Sequence, residues 1–337
     1  MANEILISLL KEYEQKKLRE EIDAEKRKEQ LYKKIPRLEK LENEINSCAI
    51  STSKDILNKK LNTSTHSLVS FSEKINSLKK EKEEILKKNN IDIEYLKPNY
   101  ECSLCKDTGY IQKDDYRTEM CSCLKQKLLD ISFNKSNMSN LDKENFSTFN
   151  ENLFSDEVNP NKYKFAISPR QNIKNIKEKS IEFVKNFDDP NSKNLLFTGN
   201  TGLGKTFLSN CIANEVLKMG KTVLYQTAPV LLENIIDYKL SKQKSNMEDI
   251  NKSVLETDLL IIDDLGTETL NSMKLSELFT IINTRILNLN NKITKTIIST
   301  NLNINEIFGK YEERIGSRIA GYYDIYCFFG EDIRFKR

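Results

Sequence analysis

Between Leu195 and Thr206 the chain reads Leu-Leu-Phe-Thr-Gly-Asn-Thr-Gly-Leu-Gly-Lys-Thr. The first four residues are an apolar run that predicts a buried strand, and a helical pattern from Phe207 to Met219 follows the glycines. A glycine-rich turn between a strand and a helix turns backbone N–H groups toward an anion, and the helix N-terminus adds a positive dipole. The stretch therefore predicts a loop that binds the phosphates of ATP, made of Gly199, Asn200, Thr201, Gly202, Leu203, Gly204, Lys205 and Thr206.

Two further features belong to the same predicted site. We expect Lys205 to reach the β- and γ-phosphates and the Thr206 hydroxyl to ligate Mg²⁺. From Leu259 to Asp264 the sequence Leu-Leu-Ile-Ile-Asp-Asp is an apolar strand that ends in two carboxylates. Because strand ends of a parallel sheet meet at one edge, these carboxylates lie beside the loop. Asp263 is expected to hold Mg²⁺ through water, and Asp264 to orient the attacking water.

A third predicted strand, residues 296–300, is followed by Asn301, which is placed to contact the γ-phosphate or the water. Beyond it, the pattern from Tyr311 to Gly321 predicts a helix with Arg314 and Arg318 about one turn apart. Arginine stabilises the charge of a transferring phosphoryl group, so this helix is able to present a cation to a neighbouring subunit. An inert surface position is the alternative interpretation for both arginines.

The remaining sequence predicts four regions. Residues 1–98 carry apolar side chains at three- and four-residue spacings among many charges, which predicts three amphipathic helices in a hairpin or small bundle. We interpret them as a docking module for a larger partner, with a solvated coiled coil as the alternative. Residues 99–128 form a four-cysteine module, 129–165 a linker anchored by a few phenylalanines, and 166–337 an α/β domain with a parallel sheet.

The four-cysteine module has the spacing of a metal site. Cys102-x2-Cys105 and Cys121-x-Cys123 are close pairs that a short glycine-containing hairpin can bring together. Four thiolates match structural Zn²⁺ and leave no open coordination position, so a catalytic zinc is not expected. Another soft metal or an iron–sulfur cluster is the alternative. Outside this module, Cys211 and Cys327 are expected to be reduced core cysteines.

Composition excludes several classes of protein. The chain has 337 residues, with 53 Lys and Arg against 50 Asp and Glu, so nucleic-acid binding must come from a local patch. Lysines at 239–244 and 292–295 are candidates, although a solvated face is the preferred interpretation. The one histidine, His66, excludes catalysis by a Ser-His-Asp triad. Without a long apolar run or a signal peptide, we expect a cytoplasmic protein that does not enter the membrane.

Taken together, these motifs resemble the AAA+ ATPases of the bacterial helicase-loader group, the DnaC/DnaI-like proteins. The resemblance rests on the cysteine block, the loop 199–206, Ile261 to Gly266 (Ile-Ile-Asp-Asp-Leu-Gly), Ser299 to Asn301 and Glu313 to Arg318. It implies an AAA+ fold, a helical domain that docks on the hexameric replicative helicase, binding of single-stranded DNA, and self-assembly through bound ATP.

The resemblance also assigns roles to residues. Asp263 matches the Mg²⁺ residue, Asp264 the hydrolytic carboxylate and Asn301 the sensor, while Arg318 matches the arginine finger that acts on a neighbouring subunit, with Arg314 second. Many AAA+ proteins have Glu in place of Asp264, and the shorter side chain predicts slow, regulated hydrolysis. Only 16 residues follow Gly321, so we expect no helical lid.

Two other functions fit parts of the pattern. A transposition helper shares the ATPase core and acts with a transposase on duplex DNA, but the four-cysteine block argues against it. A non-hydrolysing adaptor would use nucleotide only as a structural ligand, and the intact Lys205, Asp263 and Asp264 argue against that.

Overall fold

A computed structural model of the chain describes residues 2–57, 65–113, 117–131, 143–240, 252–287 and 292–336. The chain forms two compact units, Asn3–Glu119 and Met120–Arg337. The boundaries predicted from the sequence, 1–98, 99–128, 129–165 and 166–337, stay a prediction. Among the described residues, no helix combines the length and the apolar character needed to cross a membrane.

The first unit is mainly helical. Helix α1 spans Ala2–Lys34, α2 spans Pro36–Leu57 and α3 spans Thr65–Lys88, so the predicted helical N-terminal region is confirmed. Proline suits the first turn of a helix because its missing N–H would have no partner there, which fits Pro36 at the start of α2. Four leucines form a small buried core between these helices and the turn that follows α3: Leu31, Leu38, Leu86 and Leu96.

The cysteine block is a short hairpin followed by a helix. Strands β1 (Tyr110–Gln112) and β2 (Thr118–Met120) pair with each other. Helix α4 (Ser122–Leu129) follows and packs against the sheet of the second unit through Gln126. The Gln126 side chain accepts a hydrogen bond from Val223 N at 2.7 Å and donates one to Val223 O at 3.0 Å, so it pairs with that residue as a strand would.

The second unit contains a five-stranded parallel sheet with the order β4-β5-β6-β3-β7. The strands are β3 (Asn194–Thr198), β4 (Val223–Thr227), β5 (Leu259–Leu265), β6 (Lys295–Thr300) and β7 (Tyr323–Cys327). The helices are α5 (Pro160–Tyr163), α6 (Pro169–Lys185), α7 (Lys205–Lys218), α8 (Ala228–Leu240), α9 (Ser272–Ile286) and α10 (Ile304–Tyr322). The predicted α/β fold with the AAA+ type of parallel sheet is confirmed.

Helices cover both faces of this sheet, and alternate strand residues pack into two apolar cores. Leu196, Ile262 and Ile298 belong to the core that includes residues of α8, α9 and α10. Leu195 and Ile261 belong to the core that includes residues of α6 and α7. Burial on both faces explains why β3 and β5 contain continuous apolar runs, Leu195 to Phe197 and Leu259 to Ile262.

Two predictions about the periphery had different outcomes. Two of the phenylalanines expected to anchor the segment before α5, Phe149 and Phe154, are buried against α6 and α7. Cys211 lies in the core as predicted, but the prediction for Cys327 is wrong because this residue is exposed. Cys327 ends β7, which is an edge strand, and only one of the five side chains of β7 is buried.

Candidate nucleotide site and cysteine centre

The loop between β3 and α7 has the backbone of a phosphate-binding turn. Gly199, Gly202 and Gly204 all have positive φ angles, of 128°, 72° and 85°. Glycine adopts these angles without steric cost. Gly199 excludes a side chain for two reasons: its φ angle is positive, and an added Cβ would lie 2.1 Å from the carbonyl oxygen of Phe328. The sequence supplies glycine at the positions where this loop needs it.

Lys205 lies at the start of α7 and points back across the loop. Its Nζ donates hydrogen bonds to the carbonyl oxygens of Gly199 and Asn200, the latter at 2.8 Å, and to Asn301 Oδ1 at 2.8 Å. Burial lowers the pKa of Lys205 to about 8, and the charges of Asp264 and Asp263 oppose this shift. The structure thus brings together the predicted phosphate-binding lysine and the predicted sensor.

Asp263 is the centre of a second set of hydrogen bonds. Its Oδ2 accepts from Thr206 Oγ1 at 3.1 Å and from Tyr225 Oη at 2.6 Å, and its Oδ1 accepts from Ser299 Oγ and from Asp264 N at 3.1 Å. A hydroxyl and a carboxylate are oxygen ligands of the kind that Mg²⁺ prefers. The residues predicted to hold Mg²⁺, Thr206 and Asp263, are therefore neighbours with a suitable donor set.

Sequence reasoning missed two members of this set, Tyr225 and Ser299. Each lies in a short strand that contains other polar residues, Val-Leu-Tyr-Gln-Thr for Tyr225 and Lys-Thr-Ile-Ile-Ser-Thr for Ser299, so the sequence did not mark either one. Burial and the nearby carboxylate of Asp263 raise the pKa of Tyr225, so its hydroxyl stays a donor. Both residues hold the carboxylate of Asp263 in place.

Asp264 has an unusual backbone for a residue with a side chain. Its φ is 54°, at an irregularity between Ile262 and Leu265 where β5 shifts its register with β6. Its N–H donates to Asp263 Oδ1 and, at 3.2 Å, to Ser299 Oγ. Burial, together with the negative charge of Asp263, raises the pKa of the Asp264 carboxyl above its ordinary value. A carboxyl with a raised pKa is a better proton acceptor than an ordinary aspartate.

The two predicted arginines lie apart from this set. Arg314 Nε donates to Glu312 Oε2 at 2.9 Å, and its guanidinium lies 4.8 Å from the ring centroid of Phe279. Arg318 is half-buried and forms no hydrogen bond or ion pair with any residue that the structure describes. Within the described ranges, neither arginine bonds to Lys205 or Asp263. The structure does not bring either arginine into the site of its own chain.

The candidate DNA-binding lysines are largely engaged in other contacts. Lys239 pairs with Glu277 at 2.6 Å, and Lys292 pairs with Asp258 at 3.0 Å. Lys295 is buried and donates to backbone carbonyl oxygens, so it cannot contact DNA. Residues 241–244 lie outside the described residues. The structure therefore adds no support for these two patches.

The four predicted metal ligands come together in space. The Sγ atoms of Cys102, Cys105, Cys121 and Cys123 all lie within 4.8 Å of one another. Tetrahedral Zn²⁺ with bonds of about 2.3 Å would set its sulfur ligands about 3.8 Å apart, so the cluster fits this ion. The predicted four-cysteine cluster is confirmed, and the identity of a bound metal stays a prediction.

Asp107 is a residue of this centre that sequence reasoning missed. Its buried carboxylate accepts hydrogen bonds from Glu101 N at 2.9 Å and from Cys102 N at 2.8 Å. These bonds fix the turn that carries Cys102 and Cys105. Hydrogen bonds to the backbone of a ligand residue orient its metal-binding side chain.

Comparison with known proteins agrees with this geometry. The family profile described as "IstB-like ATP binding protein" matches residues 127–314, which is more than half of the chain. The replicative helicase loader DnaC of Escherichia coli (strain K12) is 32% identical over 95 residues, covering 28% of this chain and 38% of that protein. The chromosomal replication initiator protein DnaA of Buchnera aphidicola subsp. Baizongia pistaciae (strain Bp) is 31% identical over 146 residues, covering 43% of this chain and 31% of that protein.

Solved structures are similar as well. The crystal structure of the DnaC helicase loader has a TM-score of 0.45 and 20% identity, covering 57% of this chain and 99% of that one. The crystal structure of DnaI has a TM-score of 0.42 and 22% identity, covering 58% and 92%. The chain spans about two fifths of the length of the curated DnaC relatives that it matches. Similarity to DnaC confirms the resemblance predicted from the motifs, and the match over 127–314 shows that the chain belongs to the family of IstB-like ATP-binding proteins.

Proposed function

We propose that this protein is an ATPase that loads the replicative DNA helicase onto single-stranded DNA during the initiation of replication. The observation that carries the ATPase part is the convergence of four residues from two strand ends and the glycine-rich loop. Lys205 bonds to Asn301, and Thr206 bonds to Asp263, within a chain whose family binds ATP. The loader part is supported by the similarity to DnaC and by the helical first unit.

Each residue has a role that its position supports. The loop N–H groups and Lys205 bind the phosphates, while Thr206 and Asp263 hold Mg²⁺, which neutralises phosphate charge when bound. Asp264, with its raised pKa, accepts a proton from the attacking water, and Asn301 orients that water. The proposed hydrolysis is slow, because the aspartate side chain is shorter than the glutamate found in many AAA+ proteins.

Arg318 is the proposed arginine finger of a neighbouring subunit. It lacks a partner among the described residues, whereas Arg314 is engaged with Glu312 and Phe279. An arginine that acts on the next subunit must be uncommitted in its own chain, and this favours Arg318. Self-assembly through bound ATP follows from this role.

Measuring ATP turnover with and without single-stranded DNA distinguishes an ATPase from a non-hydrolysing adaptor. We expect wild-type turnover to be slow and to change on addition of DNA, and Lys205→Ala to lose turnover because the phosphates lose their buried cation. Turnover that is unchanged by Lys205→Ala would refute the ATPase assignment. Absence of wild-type turnover together with tight ATP binding would support the adaptor.

Helicase loading is tested by co-elution of the full chain with the hexameric replicative helicase of its own source, in ATP and in ADP. Leu18 and Ile22 are exposed on one face of α1, which makes this face the proposed docking surface. We expect Leu18→Glu/Ile22→Glu to abolish co-elution. The control Gln15→Glu/Gln30→Glu adds the same two charges at exposed polar positions of α1 and should retain it.

The transposition helper is the second candidate, because the family profile matched here also covers such helpers. Binding of duplex DNA and a transposase, with no helicase complex in either nucleotide, would favour it. Zinc is proposed for the cysteine centre, and metal analysis of the purified chain tests it: about one zinc per chain is expected, and none would refute it.

A further inference from the structure

A buried contact joins the turn after β5 to helix α10. The Tyr311 hydroxyl donates to Glu268 Oε1, and Glu268 Oε2 accepts a hydrogen bond from Gly266 N at 2.9 Å. Tyr311 is fully buried and Glu268 is 5% exposed. Lys310, the residue before Tyr311, donates through Nζ to the carbonyl oxygen of Gly266. Helix α10 therefore holds both polar groups of Gly266, one directly and one through Glu268.

The same turn is tied to the nucleotide site. Gly266 is two residues beyond Asp264, and the carbonyl oxygen of Asp264 accepts from Thr267 Oγ1 at 2.8 Å and from Thr267 N at 3.3 Å. Gly266 also packs closely against Leu302, since a Cβ on Gly266 would lie 3.0 Å from that side chain. A displacement of Asp264 therefore reaches Gly266 and Glu268.

Helix α10 is interrupted where this contact is made. Tyr311 has φ −112° and ψ 16°, and Glu312 has φ 65° and ψ 155°. A positive φ at this ψ is a backbone conformation used almost only by glycine, and such strain persists where the surroundings impose it. The helix resumes beyond Glu312 and carries Arg314 and Arg318. The interruption therefore separates the part of α10 held by the turn from the part that bears the arginines.

We propose that Glu268 and Tyr311 are positioning residues that couple the nucleotide state of the Asp263–Asp264 turn to the orientation of Arg318. The inference rests on the proposed function, because it assigns to Arg318 a role on the neighbouring subunit. When nucleotide fixes Asp264, the turn sets the position of Glu268. Tyr311 bonds to Glu268 and precedes the strained Glu312, so a shift of Glu268 moves the backbone just before the arginines. Arg318 would then be presented only by a subunit with an occupied site.

The test is hydrogen–deuterium exchange of the backbone amides of residues 313–320 in the full chain, with and without a Mg²⁺-bound, non-hydrolysable ATP analogue. We expect the analogue to change wild-type exchange at least about fivefold, the lower end of measured couplings between sites. Tyr311→Phe removes only the hydroxyl, so it should abolish this change while the affinity for the analogue stays within about twofold of wild type.

Tyr323→Phe is the matched control. Tyr323 is also buried, and its hydroxyl lies near Thr296 and not at the turn after β5, so this variant should keep the change in exchange. A purely structural role for Tyr311 would lower the stability of Tyr311→Phe through the lost bond to Glu268 and leave its nucleotide-dependent change in exchange intact. Retention of the nucleotide-dependent change in Tyr311→Phe would overturn the proposal, as would its absence in the wild-type chain at saturating analogue.

ATP-dependent self-association, measured by sedimentation velocity, supplies a second readout. Tyr311→Phe and Arg318→Ala should each weaken it, and the double variant should be no weaker than Arg318→Ala, because both changes remove one pathway. If the double variant weakens self-association by the product of the two single-variant effects, the two residues act independently and the coupling is refuted. If Arg318→Ala assembles as wild type while exchange still depends on nucleotide and on Tyr311, the finger assignment fails and the coupling stands. If the chain binds no nucleotide, the proposed function fails and the coupling falls with it.

Discussion

The hydroxyl of Tyr225 provides a sharp test of how the candidate Mg²⁺ site is organised. The Asp263 carboxylate is 5% exposed and accepts four hydrogen bonds, of which the 2.6 Å bond from Tyr225 is one of two on Oδ2. Tyr225→Phe keeps the ring and its packing, so the change removes one donor from a buried charge. A hydrogen bond to a charged group contributes about 1.5–3 kcal/mol to stability, and we expect that loss in Mg²⁺-free buffer.

The larger functional effect is expected in the Mg²⁺ requirement. Loss of a residue that orients a metal ligand typically weakens metal affinity by about 10–100-fold. We therefore expect Tyr225→Phe to raise the Mg²⁺ concentration at half-maximal turnover by that factor. Turnover at saturating Mg²⁺ should remain closer to wild type, because Lys205, Asp264 and Asn301 are unchanged.

The assay combines a Mg²⁺ titration of ATP turnover with denaturant unfolding in the absence of Mg²⁺. Tyr323→Phe serves as the control for loss of a buried phenol, and its Mg²⁺ requirement should match wild type. The reasoning is refuted if Tyr225→Phe has a wild-type Mg²⁺ requirement and loses less than about 0.5 kcal/mol of stability. A lower half-maximal Mg²⁺ concentration in Tyr225→Phe than in wild type would refute it as well, because it would mean that Tyr225 competes with the ion.

Four further outcomes are expected. Arg285 is fully buried and donates to Thr296 Oγ1 and to four backbone carbonyl oxygens, so Arg285→Lys should cost about 2–4 kcal/mol in denaturant unfolding and leave ATP affinity unchanged. Cys121→Ser should lose both the bound metal and part of the folded structure, as measured by metal analysis and circular dichroism. A chelator added to the wild-type chain should cause the same two losses. Burial would raise the pKa of Asp258, but hydrogen bonds from Thr222 and the charge of Lys292 outweigh burial and lower this pKa. The ionised Asp258 therefore stabilises the fold above the ordinary carboxyl pKa, and this stabilisation is lost as pH falls below it. The free energy of unfolding, measured from pH 6 to 3, should depend less on pH in Asp258→Asn than in wild type. Glu312→Gly should raise the unfolding free energy by about 1 kcal/mol, since relief of about 1–3 kcal/mol of strain exceeds the entropic cost of glycine.

The sequence made the strand-end residues of the site predictable. Asp263 and Asn301 lie at the ends of predicted strands and Lys205 closes the glycine loop after another strand, and parallel strands bring such ends to one edge. The order of the strands was not predicted, because helical crossovers connect parallel strands and the sequence carries no local signal for which strands become neighbours.

Residues that hold these groups in place were harder to predict. Tyr225, Ser299, Asp107 and Glu268 each act through one or two hydrogen bonds, and three of them bond to a residue far away in the sequence. A hydroxyl or carboxylate in an apolar strand or a turn has no periodic pattern that would mark its partner. The prediction for Cys327 failed for a related reason, because an apolar strand pattern does not show that the strand lies at the edge of its sheet.

The contact between Lys205 and Asn301 bears on how the site distinguishes ATP from ADP. Lys205 bonds to two loop carbonyl oxygens and to Asn301, while burial lowers its pKa to about 8. A γ-phosphate offers charged oxygens that are stronger acceptors than these neutral groups, so we expect it to draw Lys205 away from Asn301. Asn301 then becomes available to orient water only when the phosphate to be hydrolysed is present. ADP lacks that phosphate, so we expect the contact to remain with ADP and the two residues to change partners together only with ATP.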